Sequence, residues 1–289
     1  MKKWGFLVLL IACLCFVFIK NGSFFEPKAD VPNVEVEEND QGEDIDNIQT
    51  IKITEEQIYQ GDLLLVNSEY PVRQEGIKSD VVNLFTQNEL VKGYGLLYND
   101  TYLSEEIAYK FSKMIASAKK EGVDNFWITS GYRNFDEQKK LYQEMGSDAA
   151  LPAGYSEHNL GLSLDVGTTQ TTMAKAPEGE WIEKNAWKHG FILRYPQDKS
   201  DITGIQYEPW HIRYVGLPHS AIMKKKDFVL EEYLDYLKEK KKVSVMVEGE
   251  KYTVSYYPLS ENMIINTPKN QEYVISGNNM DGVIVTVYE

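Results

Sequence analysis

The 289-residue chain carries 44 acidic and 30 basic residues, which gives a formal net charge of -14 at pH 7. This negative charge repels a polyanion, so the composition argues against nucleic-acid binding. Both cysteines, Cys13 and Cys15, lie inside an N-terminal apolar run. A disulfide framework or a cysteine metal site is therefore excluded from the rest of the chain.

Residues 1–20 have the pattern of an N-terminal signal anchor. Two lysines precede a mostly apolar run at 4–19, and Lys20 closes it. No small-x-small cleavage site follows the run, so we expect an uncleaved transmembrane anchor rather than a cleaved signal peptide. A lipoprotein signal is the weaker alternative, because the apolar stretch continues past Cys13. By the positive-inside tendency, the long remainder then faces outward.

Residues 21–53 are acidic and nearly without aromatic side chains after Phe25. Such a segment buries too little apolar surface to offset the entropy of ordering, so we expect a disordered, solvated tether. The composition then becomes globular, and we place one domain at 54–241. No internal repeat is recognisable in it.

Hydrophobic periodicity and capping signals predict the helices and strands of this domain. In chain order we expect a helix at 104–121, a strand at 125–129, a helix from 134 to 145, a strand at 159–166, a helix from 177 to 189, a strand at 191–194, a strand at 204–215 interrupted at Pro209, and a helix at 229–241. Helices and strands mix without a regular βαβ rhythm, which favours the α+β class.

The last part of the chain, 242–289, has the pattern of a small all-β domain. Val243, Val245 and Val247 recur at every second position, and a turn can follow at 248–250. Further strands are expected at 252–256, 273–275 and 283–287, because these segments are short and rich in β-branched and aromatic residues.

Three polar motifs carry the candidate chemistry. They are SGYR at 130–133, SEHNLGLSLD at 156–165 and EPWH at 208–211. Two of the four histidines, His158 and His211, lie in these motifs, and Asp165 follows the first by seven residues. Two imidazoles and one carboxylate form the ligand set of a catalytic zinc ion, whose fourth position is left to water. Glu208 is then the candidate base for that water.

This interpretation requires an irregular backbone between Glu208 and His211. Residues three apart on a regular strand point to opposite faces, so the two can share one site only if the strand is broken at Pro209. Each residue also has a plainer interpretation when taken alone, since Asp165 could cap a turn and Glu208 could be a surface charge. His189 and His219 are expected to be ordinary core or surface residues.

Other functions fit parts of the same pattern. A mononuclear Fe(II) oxygenase also uses two histidines and one carboxylate. A serine penicillin-binding enzyme is suggested by the SxxK match at 117–120, but that segment lies on a plain amphipathic helix and no KTG follows. A non-catalytic wall-binding module with a structural metal would be expected to supply a fourth protein ligand.

The motifs SGYR, SxHxxGxxxD and ExWH resemble those of the VanY-type zinc D-alanyl-D-alanine carboxypeptidases, which are related to the VanX dipeptidases and to the Hedgehog fold. The resemblance extends from about Ile53 to the end of the chain. It implies a Hedgehog/DD-peptidase-like mixed domain at 54–241, with the all-β appendage at 242–289 and the anchor at 1–20.

The resemblance also assigns roles to individual residues. It implies one zinc ion per chain on His158, Asp165 and His211, with Glu208 as catalytic base. It further places Arg133 beside the reacting centre, and Gln138 and Ser156 at the end of the bound peptide. Arg133 could bind a substrate carboxylate in a bidentate fork or support the tetrahedral oxyanion, and the sequence leaves both roles open.

The implied substrate is a peptidoglycan precursor stem peptide that ends in D-Ala-D-Ala. Hydrolysis of its terminal D-alanine would contribute to resistance to glycopeptides such as vancomycin. The anchor would hold a single-pass protein in the cell membrane with its catalytic domain on the extracytoplasmic side.

Overall fold

The computed structural model describes residues 31–38, 48–147, 150–260 and 263–289 of the chain. The anchor predicted at 1–20 lies outside the described residues, as does much of the predicted tether. Within the described ranges, none of the helices is long and apolar enough to cross a membrane.

The described residues form six α-helices, fourteen strands and several short 3-10 helices. The α-helices are α1 (Glu105–Lys120), α2 (Phe135–Met145), α3 (Pro177–Asn185), α4 (Ser200–Thr203), α5 (His219–Lys226) and α6 (Leu230–Lys240). The strands are β1 (Val34–Glu37), β2 (Ile48–Lys52), β3 (Val81–Asn83), β4 (Tyr94–Leu96), β5 (Tyr102–Ser104), β6 (Phe126–Ser130), β7 (Ser163–Gly167), β8 (Phe191–Leu193), β9 (His211–Tyr214), β10 (Lys242–Val247), β11 (Glu250–Pro258), β12 (Ile264–Pro268), β13 (Glu272–Gly277) and β14 (Gly282–Tyr288).

The central sheet carries the polar motifs and has the strand order β4-β6-β7-β9-β8. Only the β4–β6 pair is parallel. Helix α1 covers this sheet with an apolar stripe at helical spacing, in which Ile107, Phe111 and Met114 are fully buried. Burial of each such side chain contributes about 1.5–3 kcal/mol, so the stripe fixes the helix on the sheet. The mixture of helices and mixed sheet agrees with the predicted class.

Helices α1 and α2 begin where their capping residues predict. The Ser104 side chain accepts a hydrogen bond from the Ile107 N–H at the start of α1. Asn134 and Glu137 form a reciprocal capping box at the start of α2, with distances of 2.9 and 2.8 Å. These bonds satisfy backbone N–H groups that a helix end leaves without partners.

A second sheet has the order β1-β10-β11-β14-β13 and is antiparallel throughout. Its apolar face packs with α5 and α6 around a core that includes Tyr233, Leu237 and Val243. The strands predicted in 242–289 are confirmed, with longer bounds, and β12 adds one that was not predicted. That 242–289 is a domain able to fold by itself stays a prediction.

The expectation of a disordered tether is wrong for two of its segments. Strand β1 pairs with β10, and β2 pairs with β12. Val34 is 2% exposed and alternates with outward glutamates, so a local two-residue period suffices to add β1 to the sheet edge. The prediction relied on the acidic composition of 21–53 as a whole, and this average does not show the short alternation of valine and glutamate in β1.

Two predicted strands around the polar motifs are shorter than expected. Residues Glu157–Asn159 form a 3-10 helix, so β7 begins only at Ser163. The strand predicted at 204–215 is reduced to β9, since α4 ends at Thr203 and a loop precedes His211.

Candidate active site

Three elements bring the candidate zinc ligands together. His158 comes from the 3-10 helix, Asp165 from β7 and His211 from the first position of β9. Strands β7 and β9 pair so that Asp165 lies directly opposite His211. One ligand atom from each of the three residues lies within 4.8 Å of the others. The structure therefore joins residues that are 53 positions apart in sequence.

The carboxylate of Asp165 lies between the two imidazoles. His158 Nε2 is 3.3 Å from Asp165 Oδ2, and His211 Nδ1 is 3.1 Å from Asp165 Oδ1. Burial would raise the pKa of Asp165, but the two histidines hold it well below its usual value. The carboxylate is thus ionised and, with the two ring nitrogens, suits a divalent cation of borderline softness.

The orientation of His158 is fixed by a backbone carbonyl. Its Nδ1 lies 2.6 Å from the Gly131 oxygen and donates to it, which leaves Nε2 free to face Asp165. Its backbone N–H donates to the Ser156 hydroxyl at 3.4 Å. Ser156 is thus observed as the cap of this 3-10 helix, and its contact with a peptide stays a prediction.

Gly131 explains why the SGYR motif contains glycine. A Cβ at this position would lie 2.1 Å from the Tyr102 carbonyl oxygen, far inside contact distance. That same oxygen accepts the N–H of Tyr132 at 2.6 Å. The glycine therefore allows the end of β6 to approach β5 and places its own carbonyl beside His158.

Glu208 reaches the site through a turn. The His211 N–H donates to the Glu208 carbonyl at 3.1 Å, and this closes the turn over Pro209. The irregularity predicted at Pro209 is confirmed. Glu208 Oε2 consequently lies 3.9 Å from His211 Nδ1. Burial raises the pKa of Glu208 above its usual value, against the opposing effect of His211, as suits a general base.

Arg133 is held beside the site by its backbone. Its N–H donates to the His158 carbonyl at 3.1 Å, and its own carbonyl accepts the Asn159 side chain at 2.6 Å. Its Nε is buried and has no hydrogen-bond partner among the described residues. Burial lowers the pKa of the guanidinium, although Asp165 and Glu208 favour its charge. The Arg133 guanidinium is therefore placed to bind an anionic group of a molecule in the site.

Gln138 lies on the first turn of α2 and is 1% exposed. Its Nε2 donates to the Leu151 carbonyl at 2.6 Å, whereas its Oε1 is buried and without a partner within the described part of the chain. A buried acceptor without a donor is costly, and a ligand N–H would satisfy it. Its predicted contact with the peptide remains a prediction.

Sequence reasoning missed the contribution of Glu157 and two arginines. The Glu157 carboxylate is fully buried, with Arg194 Nε at 2.9 Å and Arg213 Nη1 at 2.8 Å from Oε1. Its other oxygen lies 3.3 Å from His211 Nε2. Burial would raise the pKa of Glu157, but Arg213 and Arg194 hold it well below the usual value. The signal in the sequence was the position of Glu157 inside the 156–165 motif, next to the candidate ligand His158.

Comparisons with known proteins place the chain in a family. Residues 100–217 match the family model described as VanY, D-alanyl-D-alanine carboxypeptidase. The whole chain aligns with a D-alanyl-D-alanine carboxypeptidase of Enterococcus faecium at 60% identity, covering 97% of that protein.

Two solved structures extend the likeness to the fold. The vancomycin resistance D,D-dipeptidase VanXYg, in complex with a D-Ala-D-Ala phosphinate analog, superposes with a TM-score of 0.72 at 32% identity, covering 84% of this chain and 99% of that one. A variant of the D,D-pentapeptidase VanY from a VanB-type resistance cassette, in complex with Zn(II), gives a TM-score of 0.50 at 27% identity, covering 60% and 98%. By the family model and the full-length relative together, the chain belongs to the VanY family of D-alanyl-D-alanine carboxypeptidases.

Proposed function

We propose that this carboxypeptidase binds one zinc ion through His158, Asp165 and His211 and removes the terminal D-alanine from peptidoglycan precursor peptides that end in D-Ala-D-Ala. The convergence of the three ligand atoms within 4.8 Å carries the proposal. Nitrogen and oxygen donors of this kind hold zinc in hydrolytic sites, with one position left for water. The family relationship supports the same substrate class.

The reaction divides between the metal and the protein. When bound, the zinc ion supplies a water of lowered pKa and polarises the scissile carbonyl. Glu208 accepts a proton at its carboxylate and returns it to the amine of the leaving D-alanine. The turn at 208–211 holds this carboxylate beside the proposed ligands. Because water is the nucleophile, no nucleophilic side chain is required.

Arg133 and Gln138 are the proposed contacts of the peptide. Arg133 offers charge-assisted hydrogen bonds, either to the terminal carboxylate of the substrate or to the oxyanion of the tetrahedral state. The Oε1 of Gln138, which has no partner among the described residues, would accept a peptide N–H, and the Ser156 hydroxyl is the second proposed polar contact.

The cellular role follows from the substrate. Loss of the terminal D-alanine would remove the structure that vancomycin-type glycopeptides bind, so the enzyme would contribute to resistance. The anchor at 1–20 would hold it in the cell membrane with the catalytic domain outside. Fractionation of cells that express the full chain tests this location, and recovery in the soluble fraction would contradict it.

The test of the function is D-alanine release from a synthetic pentapeptide stem by the full chain. We expect release to stop after zinc removal by a chelator and to return on addition of zinc. Penicillin should leave it unchanged, because no serine acts as nucleophile. Release that persists without metal would refute the mechanism, and iron as the bound metal after aerobic purification would favour the oxygenase alternative.

A further inference from the structure

Glu157 is a buried carboxylate that contacts His211, a proposed metal ligand, at the ring nitrogen that faces away from Asp165. It is 1% exposed, and its Oε2 lies 3.3 Å from Nε2 of His211. Ser163 donates to the same oxygen at 3.1 Å. On the other side of the His211 ring, Nδ1 lies 3.1 Å from Asp165. The two ring nitrogens of His211 therefore face two different carboxylates.

The chemistry of imidazole makes this arrangement selective. A neutral imidazole carries its proton on one nitrogen, and the other nitrogen is the one able to bind a metal. An anionic acceptor at one nitrogen fixes the proton there and aims the opposite nitrogen at the cation. For His158 the Gly131 carbonyl plays this part at Nδ1. For His211 the corresponding acceptor is Glu157, at Nε2.

We propose that Glu157 is a positioning residue that keeps the proton on Nε2 of His211 and so presents Nδ1 to the metal. The inference rests on the proposed zinc site and adds to it a residue that contacts neither substrate nor zinc. By the same reasoning the two histidines would bind the metal through different ring nitrogens, Nε2 in His158 and Nδ1 in His211.

The carboxylate of Glu157 is itself held rigidly. Arg194 donates Nε to Glu157 and its two terminal nitrogens to Glu231, at 2.9 and 2.7 Å. Arg213 donates to Glu157 and, through Nη2, to the backbone carbonyls of Asp62 and Leu64. Two carboxylates and two guanidiniums balance in charge, which is the condition under which such groups can stay buried. The acceptor for His211 is consequently fixed in place and ionised.

The first test uses the unaltered protein. Zinc is replaced by cadmium, and scalar coupling between cadmium and isotope-labelled histidine nitrogens is measured by NMR. We expect coupling to Nδ1 of His211 and to Nε2 of His158, with the Nε2 proton of His211 slow to exchange. Coupling through Nε2 of His211 would overturn the proposal. This test does not depend on whether any variant folds.

The second test is the double variant Glu157→Leu/Arg194→Met, which removes the acceptor together with one guanidinium and leaves the net charge of the cluster at zero, with Glu231 and Arg213 remaining. We expect its zinc dissociation constant, measured by chelator competition, to rise about 10- to 100-fold, the usual effect of losing a partner of a metal-bound histidine. The control is Glu178→Gln, because Glu178 is another buried carboxylate, 4% exposed, on α3. The control should bind zinc as the wild type does.

The outcomes separate this inference from the proposed function. A double variant with a wild-type circular dichroism spectrum and wild-type zinc affinity would overturn the role of Glu157, while leaving the zinc site and D-alanine release intact. A wild-type chain that binds no zinc would instead refute the proposed function, and the positioning role with it.

Discussion

At the scale of single residues, the site depends on groups that orient the side chains of the candidate metal ligands. The carbonyl of Gly131 accepts a hydrogen bond from His158. Because Gly131 has no side chain, its backbone can also lie close to the carbonyl oxygen of Tyr102. Glu208 contributes a carboxylate that a turn, rather than a strand, brings within 3.9 Å of His211 Nδ1. Each of these two residues has a different expected effect when it is changed.

Replacement of Gly131 by alanine should weaken zinc binding as well as stability. The added Cβ would meet the Tyr102 oxygen at 2.1 Å, so the backbone must shift and carry the carbonyl away from His158. Overpacking of this kind costs about 1–3 kcal/mol. Gly122→Ala is the matched control, since among the described residues none but its chain neighbours has an atom within 4 Å of its Cβ position, and the strain comes from its φ of +83°. Wild-type zinc affinity in Gly131→Ala would contradict the role of this carbonyl.

The change Glu208→Gln should separate proton transfer from metal binding. Glutamine keeps the size of the side chain but cannot accept the proton, so kcat for pentapeptide hydrolysis should fall about 10²- to 10⁴-fold. Zinc content should stay at the wild-type level. In Asp165→Asn, by contrast, the metal itself should be lost along with the anionic ligand. Full activity of Glu208→Gln would assign the base to another residue.

At the scale of elements, a helix or strand could be predicted when it was long enough to show hydrophobic periodicity. Helix α1 shows three turns of apolar spacing between a serine cap and a glycine stop, and it begins and ends as expected. Strands β3, β4 and β5 have three residues each, too few for a two-residue period to be recognised. The three candidate metal ligands could be proposed from the sequence because the chain has only four histidines and two of them lie in polar motifs, one of which also contains Asp165.

The start of β7 shows how a tertiary constraint overrides a local pattern. Alternation from residue 159 predicted a strand, yet Gly161 has a φ of +83°, and the chain turns there before β7 begins at Ser163. Glycine inside an alternating run was the signal for that turn. The network around Glu157 could not be predicted, because Arg194 and Arg213 reach it only through the pairing of β7, β8 and β9.

The capping box of α2 should be worth a measurable part of the stability. Asn134 accepts the Glu137 N–H at 2.9 Å at the start of the helix that carries Gln138. Asn134→Ala should lower the free energy of unfolding by about 0.5–2 kcal/mol. Denaturant unfolding measures this, with Asn134→Asp as the control that retains a capping oxygen. An unchanged midpoint in the alanine variant would show that the cap is dispensable.

At the scale of the whole molecule, one buried histidine links the second sheet to its helices. His219 is the first residue of α5. Its Nδ1 is hydrogen-bonded to the Tyr233 hydroxyl of α6 at 2.7 Å, and its Nε2 is hydrogen-bonded to the Thr286 hydroxyl of β14 at 3.0 Å. As expected from the sequence, it is a core residue that lies outside the ligand set. Burial lowers its pKa from 6.5 to about 3.

This histidine should make stability depend on pH. Because the pKa is lower in the folded state, the unfolded chain takes up a proton first as the pH falls below 6.5. The stability is fully present above that pH and should decline towards pH 3 by up to about 1.4 kcal/mol per unit. In His219→Gln, this contribution to the pH dependence of the free energy of unfolding should disappear. The control is His189→Gln, at a half-buried histidine, which should largely retain the contribution. Identical slopes for wild type and His219→Gln would contradict the assignment.

The measurement that bears most directly on the zinc site is anomalous X-ray diffraction from crystals of the protein at the zinc absorption edge. We expect one peak, about 2.0–2.2 Å from His158 Nε2, an Asp165 oxygen and His211 Nδ1, with a further position open to solvent and Glu208 not coordinated. A peak elsewhere, or one enclosed by a fourth protein side chain, would contradict it.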